Sequence, residues 1–195
     1  MLTRYQTIAA IFGTVFAMSA SAADTAGEVQ RNVNQQERIE QGLKSGELNT
    51  KEAARLEKGE AKIDKMEQKA LSDGNLSAQE KARIGRAQNV ESKKIYDAKH
   101  NEVTGNPNSA SSQRMQADVQ RNVNQQKRIE QGVQSGELTN KEAGKLEGGQ
   151  ARVERKEARA GADGHVGAGE QRRIQGAENH QSKKIYAKKH NERTN

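Results

Sequence analysis

A stretch of 75 residues occurs twice in this chain. Residues 28–102 and 118–192 align at a constant offset of 90, without a gap, with 43 identities. The words VQRNVNQQ, RIEQG, SGEL, SKKIY and KHNE recur in both copies. Whatever one copy folds into, the other must fold into as well, so the chain is two related units. Between them runs VTGNPNSASSQRMQA, residues 103–117, which holds the only proline, Pro107. A stretch of Gly, Pro, Asn and Ser with nothing to bury predicts a flexible linker.

Within each unit the apolar residues are sparse and spaced for helices, and no β-branched run alternates as a strand would. The expected fold class is therefore all-α: two tandem repeats of about three helices each, as hairpins or small bundles. The first helix is expected over Gly27–Leu43, with Val29, Val33, Ile39 and Leu43 as its stripe. The second starts after Asn49 and carries Ala53, Leu56, Ile63, Met66 and Ala70; the third starts after Ser77 and carries Ile84, Ala87, Ile95 and Ala98. The second copy repeats the plan through Val119, Val123, Ile129, Val133, Leu146, Val153, Ile174 and Ile185. The chain has no Trp, and both Phe lie at 12 and 16. A unit of this size with about a dozen large apolar side chains is marginal on its own. Three outcomes are open: a loose hairpin, packing of one repeat on the other, or completion of the stripes by a partner.

The N-terminus reads as an address. Arg4 precedes an apolar run, Thr7–Met18, and Ala20-Ser21-Ala22 follows as a small-x-small site. That pattern is a secretory signal peptide over residues 1–22, cleaved after Ala22, and its apolar run is short for a membrane span. The expectation is an exported protein, periplasmic or secreted, with no transmembrane anchor after cleavage. There is no cysteine, which excludes disulfides and a lipid-modified N-terminal cysteine.

The net charge is +7, and +6 without the leader's Arg4. Repeat one has 15 Lys/Arg against 14 Asp/Glu, and repeat two has 15 against 11. Mixed signs along helices predict solvated faces with i,i+4 pairing.

The joints between the helices carry a second motif. Gly46–Leu48–Glu52, Gly74–Leu76–Glu80, Gly136–Leu138–Glu142 and Gly164–Val166–Glu170 repeat the spacing of the back half of a twelve-residue calcium loop. Two such joints per repeat resemble a degenerate pair of EF-hand helix–loop–helix units. The resemblance stops at the front half, where Gln41, Lys69, Gln131 and Arg159 stand at the first ligand position. It implies a divalent cation held by Asp73, Glu80, Asp163 and Glu170, the loops with an acidic fifth position. The same residues also spell helix caps: Asn49-x-x-Glu52, Ser77-x-x-Glu80 and Thr139-x-x-Glu142 are capping boxes, and a glycine before each ends the previous helix in a left-handed turn.

The remaining candidates are fewer. The basic ends SKKIYDAKHNE and SKKIYAKKHNER place Lys93, Lys94 and Lys99 around Tyr96, and Lys183, Lys184, Lys188 and Lys189 around Tyr186. Such patches suit a protein or an anionic envelope polymer, and an exported chain is not expected to meet nucleic acid. The alternative is that Ile95 and Tyr96 are core and the lysines complement a helix C-terminus. The four histidines, His100, His165, His180 and His190, lack the spacing of a transition-metal site. No nucleophile elbow or phosphate loop occurs. The expected function is therefore a non-enzymatic interaction module without a cofactor, the alternative being a divalent-cation-binding protein with EF-hand-like loops.

Overall fold

The computed structural model describes residues 20–191. They form six helices: α1 (Ala20–Ser45), α2 (Thr50–Ala70), α3 (Ala78–Lys99), α4 (Ala110–Gln134), α5 (Asn140–Ala160) and α6 (Ala168–Lys189). The fold is all-α with three helices per repeat. The expected leader lies outside the described residues except for 20–22, which open α1. That helix begins ahead of Gly27 because Ala22 and Ala26 are themselves buried. No described helix is long and apolar enough to cross a membrane.

The joints form as caps. Asn49, Ser77 and Thr139 accept the backbone N–H of Glu52, Glu80 and Glu142. Those glutamates accept the cap residue's own N–H at 3.1, 3.1 and 3.3 Å. At the fourth joint Glu170 accepts the Gly167 N–H at 2.9 Å. The glycine in each preceding turn is left-handed: φ is 81° at Gly46, 99° at Gly74, 76° at Gly136 and 93° at Gly164. A side chain there would be strained.

The segment read as a linker over 103–117 is shorter than that. The Ser109 hydroxyl accepts the Ser112 N–H at 3.1 Å, and α4 starts at Ala110. Ser111, Ser112 and Met115 are buried. Gly105 donates its N–H to Gly46 at 2.8 Å, and Gln116 donates to the Pro107 carbonyl at 2.9 Å, so the connection is fastened to the bundle. Composition missed this because a serine cap reads as loop until the buried methionine behind it is placed.

Of the three open outcomes, the repeats pack on each other. α2 runs antiparallel along α5, with Ala54 beside Gly161 at one end and Leu71 beside Gly144 at the other. α1 runs antiparallel along α4, fastened by Glu37–Lys127 at 2.6 Å and Lys44–Gln120 at 3.4 Å. α3 and α6 flank the pair. The two repeats are thereby related by a pseudo-two-fold axis. Each of two apolar clusters draws on both copies. One joins Ile39, Leu43, Leu48, Leu56 and Ile95 to Met115, Val119 and Ile174. The other joins Val29 and Leu71 to Ile129, Val133, Leu138, Leu146 and Ile185. A third, smaller cluster, Ile63, Ala70 and Ile84, lies within repeat one, but the two larger cores are shared, which answers the shortage of apolar side chains.

Small residues let α2 and α5 approach. A Cβ built at Gly144 would stand 2.7 Å from the Leu71 Cβ, an atom that cannot swing aside. We expect Gly144→Ala to destabilise the fold by about 1–3 kcal/mol despite alanine's better helix propensity, read from chemical denaturation. A gain in stability would show that the two helices are free to separate.

Charge is sorted by face. Every exposed position of α2 is basic: Lys51, Arg55, Lys58, Lys62, Lys65 and Lys69. The exposed positions of α5 are Lys141, Lys145, Arg152, Lys156 and Arg159. Every acidic residue of these two helices is buried instead. The mixed solvated face expected of them is absent, because acids and bases sit in opposite phases of the 3.6-residue turn. Over the described residues fifteen carboxyl side chains are buried, and no lysine, arginine or histidine is.

Candidate metal centre

The buried acids form a polar waist between the two apolar ends. On α2 they stand at Glu57, Glu60, Asp64 and Glu67, spacings of three and four that keep phase with Ala53, Leu56, Ile63 and Ala70. On α5 the equivalent row is Glu147, Gln150, Glu154 and Glu157. α1 and α4 supply the facing layer from the repeated word NVNQQ: Asn32 and Gln36 from one copy, Asn122 and Gln126 from the other.

One oxygen from each of Asp64, Glu67 and Glu147 lies within 4.8 Å of the others, and all three residues are buried. Asn32 donates its Nδ2–H to Glu67 Oε2 at 2.8 Å and to Asp64 Oδ1 at 3.3 Å. Gln126 donates its Nε2–H to Glu147 Oε2 at 3.0 Å. The pseudo-two-fold axis carries this arrangement onto Glu157, Glu154 and Glu57. There Asn122 donates to Glu157 at 2.7 Å, and Gln36 donates to Glu57 and Glu154, both at 3.1 Å. The amides thus fix the carboxyls from the opposite layer.

These hydrogen bonds do not satisfy the waist. Buried oxygens without a partner include Glu147 Oε1, Glu57 Oε1, Glu154 Oε2, Glu157 Oε1 and Gln126 Oε1. Glu60 has both carboxyl oxygens unpartnered, and Gln150, its counterpart in repeat two, has its whole amide unpartnered. A buried polar atom left bare costs about 1–3 kcal/mol, and more when charged. Glu157 also feels the nearby Glu57, and Asp64 the nearby Glu154, like charges that make it costly to ionise both members of either pair.

Burial sets the titration. Desolvation pushes Glu57 and Glu147 up to about 7. Glu60, Asp64, Glu67, Glu154 and Glu157 are raised well above the carboxylate range by desolvation first and neighbouring carboxylates second. Desolvation likewise lifts Asp118 to about 8 and Glu178 to about 7, although Arg121 pulls Glu178 down from 3.2 Å. Two chemical states answer this electrostatics: the carboxyls keep their protons, or a cation enters and replaces them. The donor set is all oxygen, which suits hard ions such as Ca²⁺, Mn²⁺ or Mg²⁺ and offers nothing to softer metals. Turning the Gln126 amide over would present its free Oε1 as a further ligand.

The loop residues implied by the EF-hand resemblance lie apart from this waist. Asp73 Oδ1 accepts the Asn75 N–H at 2.9 Å, and Asp163 Oδ1 accepts the His165 N–H at 2.8 Å. Glu80 and Glu170 are engaged in their caps. Among the described residues, the one group of three metal-capable side chains gathered within 4.8 Å is Asp64–Glu67–Glu147.

Of the basic ends, Lys93 pairs with Asp97 and Lys94 with Glu91, each at 2.8 Å. Lys99 reaches Glu47 at 3.2 Å, Lys188 reaches Glu142 at 3.3 Å and Lys189 reaches Glu137 at 3.2 Å. Lys183 and Lys184 are exposed. Ile95 is core, but Tyr96 and Tyr186 are exposed and stack on His100 and His190 with ring centroids 4.1 and 4.0 Å apart. All four histidines are exposed.

Comparison with known proteins returns no matching family model, no matching curated protein and no matching solved structure.

Proposed function

We propose that the chain is a divalent-cation-binding helical protein whose ion sits inside the bundle, on Asp64, Glu67 and Glu147. One observation carries the reading: three buried carboxylates converge within 4.8 Å, and among the described residues no basic side chain is buried. A cation supplies the positive charge that the fold withholds. The unpartnered Glu147 Oε1 and Gln126 Oε1 are oxygens the ion would take. This reading keeps the cation of the EF-hand resemblance and moves it from the loops to the core. The leader pattern around Arg4 and Ala20-Ser21-Ala22 supports work outside the cytoplasm.

The test is calorimetric titration of chelator-treated protein with Ca²⁺, Mn²⁺ and Mg²⁺ at pH 7.5, with a helix-signal melt alongside. Saturable binding is expected. At an ion concentration 100 times Kd the fold should gain about 2.7 kcal/mol, or roughly 5–10 °C in Tm for a chain of this size. Glu67→Gln with Glu147→Gln should remove the response, while Asp73→Asn with Asp163→Asn should retain it. Loss with the second pair alone would return the ion to the loops, and no uptake by the native chain would end the proposal.

A further inference from the structure

We infer that the outer groove between α2 and α5 is a docking site for a flexible phosphate-linked polyanion. Lys58, Lys62 and Lys65 form one wall and Arg155 and Arg159 the other, over a floor of alanine, in a groove of about 370 Å³. No carboxylate lines it. None of these five cations takes part in an ion pair among the described residues, whereas five of the seven lysines of the SKKIY ends do. The acids that would neutralise the groove belong to the same two helices but face the opposite way, into the waist. Each helix therefore presents an undiluted positive edge about 30 Å long.

The shape and chemistry choose the occupant. The groove runs along two antiparallel helices, so it follows a strand. A lipid plane would touch only the ridges. Among the described residues the exposed large hydrophobic ones are Val90, Tyr96, Val103 and Tyr186, none of them on α2 or α5. A helix face without apolar anchors does not enter a bilayer, and one without aromatics does not stack bases. Lysine predominates on α2, and lysine meets phosphate as a point charge without demanding fixed geometry. What remains is recognition of backbone phosphate charge along a flexible chain.

The probe is long-chain inorganic polyphosphate, titrated against the full chain in chelator at several salt concentrations. Working in chelator keeps the outcome separate from the cation reading, since either can fail alone. Saturable binding that weakens steeply with salt is expected. Lys58→Glu with Lys62→Glu and Arg155→Glu should weaken it by about tenfold or more and flatten the salt dependence. Lys93→Glu with Lys183→Glu, on the far ends of α3 and α6, should change it by less than about threefold. Helix-signal melts of both variants confirm that they fold. Absence of saturable binding overturns the inference, as does equal loss in the two variants. Binding to phosphatidylglycerol vesicles without binding to polyphosphate would assign the face to a membrane surface instead.

Discussion

Chelator-treated protein should be most stable near pH 4.5–5 and should lose stability steadily as the pH rises toward 8. The sign follows from the buried carboxyls. Glu57 and Glu147 titrate near 4.5 when unfolded and at about 7 when folded. Between those values the folded state holds protons that the unfolded state has released. Stability therefore falls with rising pH, by about 1.4 kcal/mol per pH unit for each retained proton. These two groups alone give a slope of about 2.7 kcal/mol per unit, or roughly 5–10 °C in Tm. Glu60, Asp64, Glu67, Glu154 and Glu157 add to it in the same direction, and Asp118 extends the window to about 8. Glu142 works oppositely: hydrogen bonds from Asn191 and Thr139 and the Lys188 contact outweigh desolvation and lower it. Its contribution is lost only as the pH falls below the ordinary carboxylate range, which sets the acid side of the maximum. A saturating divalent cation should flatten or reverse the slope above pH 5, because the ion binds the deprotonated form. Melts across pH 4–8, with and without ion, read both arms. A cation-free Tm that rises from pH 5 to 8 would mean that the waist is hydrated or otherwise compensated.

Much of this architecture was legible in the sequence, and the part that was not has a physical reason. The repeat, the helix count and the joints at Asn49, Ser77 and Thr139 rest on local chemistry: identity of two segments, apolar spacing, and a cap with its glutamate three residues on. The waist needed a different question. The stripe Ala53, Leu56, Ile63, Ala70 is thin in apolar residues alone. Adding Glu57, Glu60, Asp64 and Glu67 fills the same face, and Lys51, Arg55, Lys58, Lys62, Lys65 and Lys69 fill the opposite one. That segregation of sign is visible on a helical wheel. Acids on a lysine-rich helix ordinarily pair with those lysines at i,i+4, which predicts a solvated face. What no local pattern carries is the pairing of α2 with α5. Only that pairing brings Glu147 to Asp64 and Glu67 across a separation of eighty residues or more.

Glu60→Gln should raise the stability of the cation-free protein, against the usual cost of altering a buried residue. Repeat two already contains this experiment, since Gln150 occupies the equivalent position in the same waist. Both Glu60 oxygens lack partners. Desolvation, reinforced by Glu154, Glu57, Glu91 and Glu67, raises its pKa well above 4.5. At pH 8 the unfolded chain has ionised this group, and folding must either reprotonate it or bury a charge. A glutamine of nearly the same shape removes that cost. The gain should be largest at pH 8, where the unfolded chain has fully ionised this group, and should shrink toward zero near pH 4.5. Glu147→Gln should show a similar pH-dependent gain without the ion. The two variants must then part: Glu60→Gln leaves Asp64, Glu67 and Glu147 intact and keeps cation stabilisation, whereas Glu147→Gln removes a ligand and loses it. Denaturant melts at pH 5 and 8, each with chelator and with saturating ion, separate the two effects. If Glu60→Gln is destabilising at pH 8, its carboxylate already has a partner, and the cation belongs at Glu60. If both variants gain stability and both still respond to the ion, the interior carboxylates are a proton store and the metal lies elsewhere.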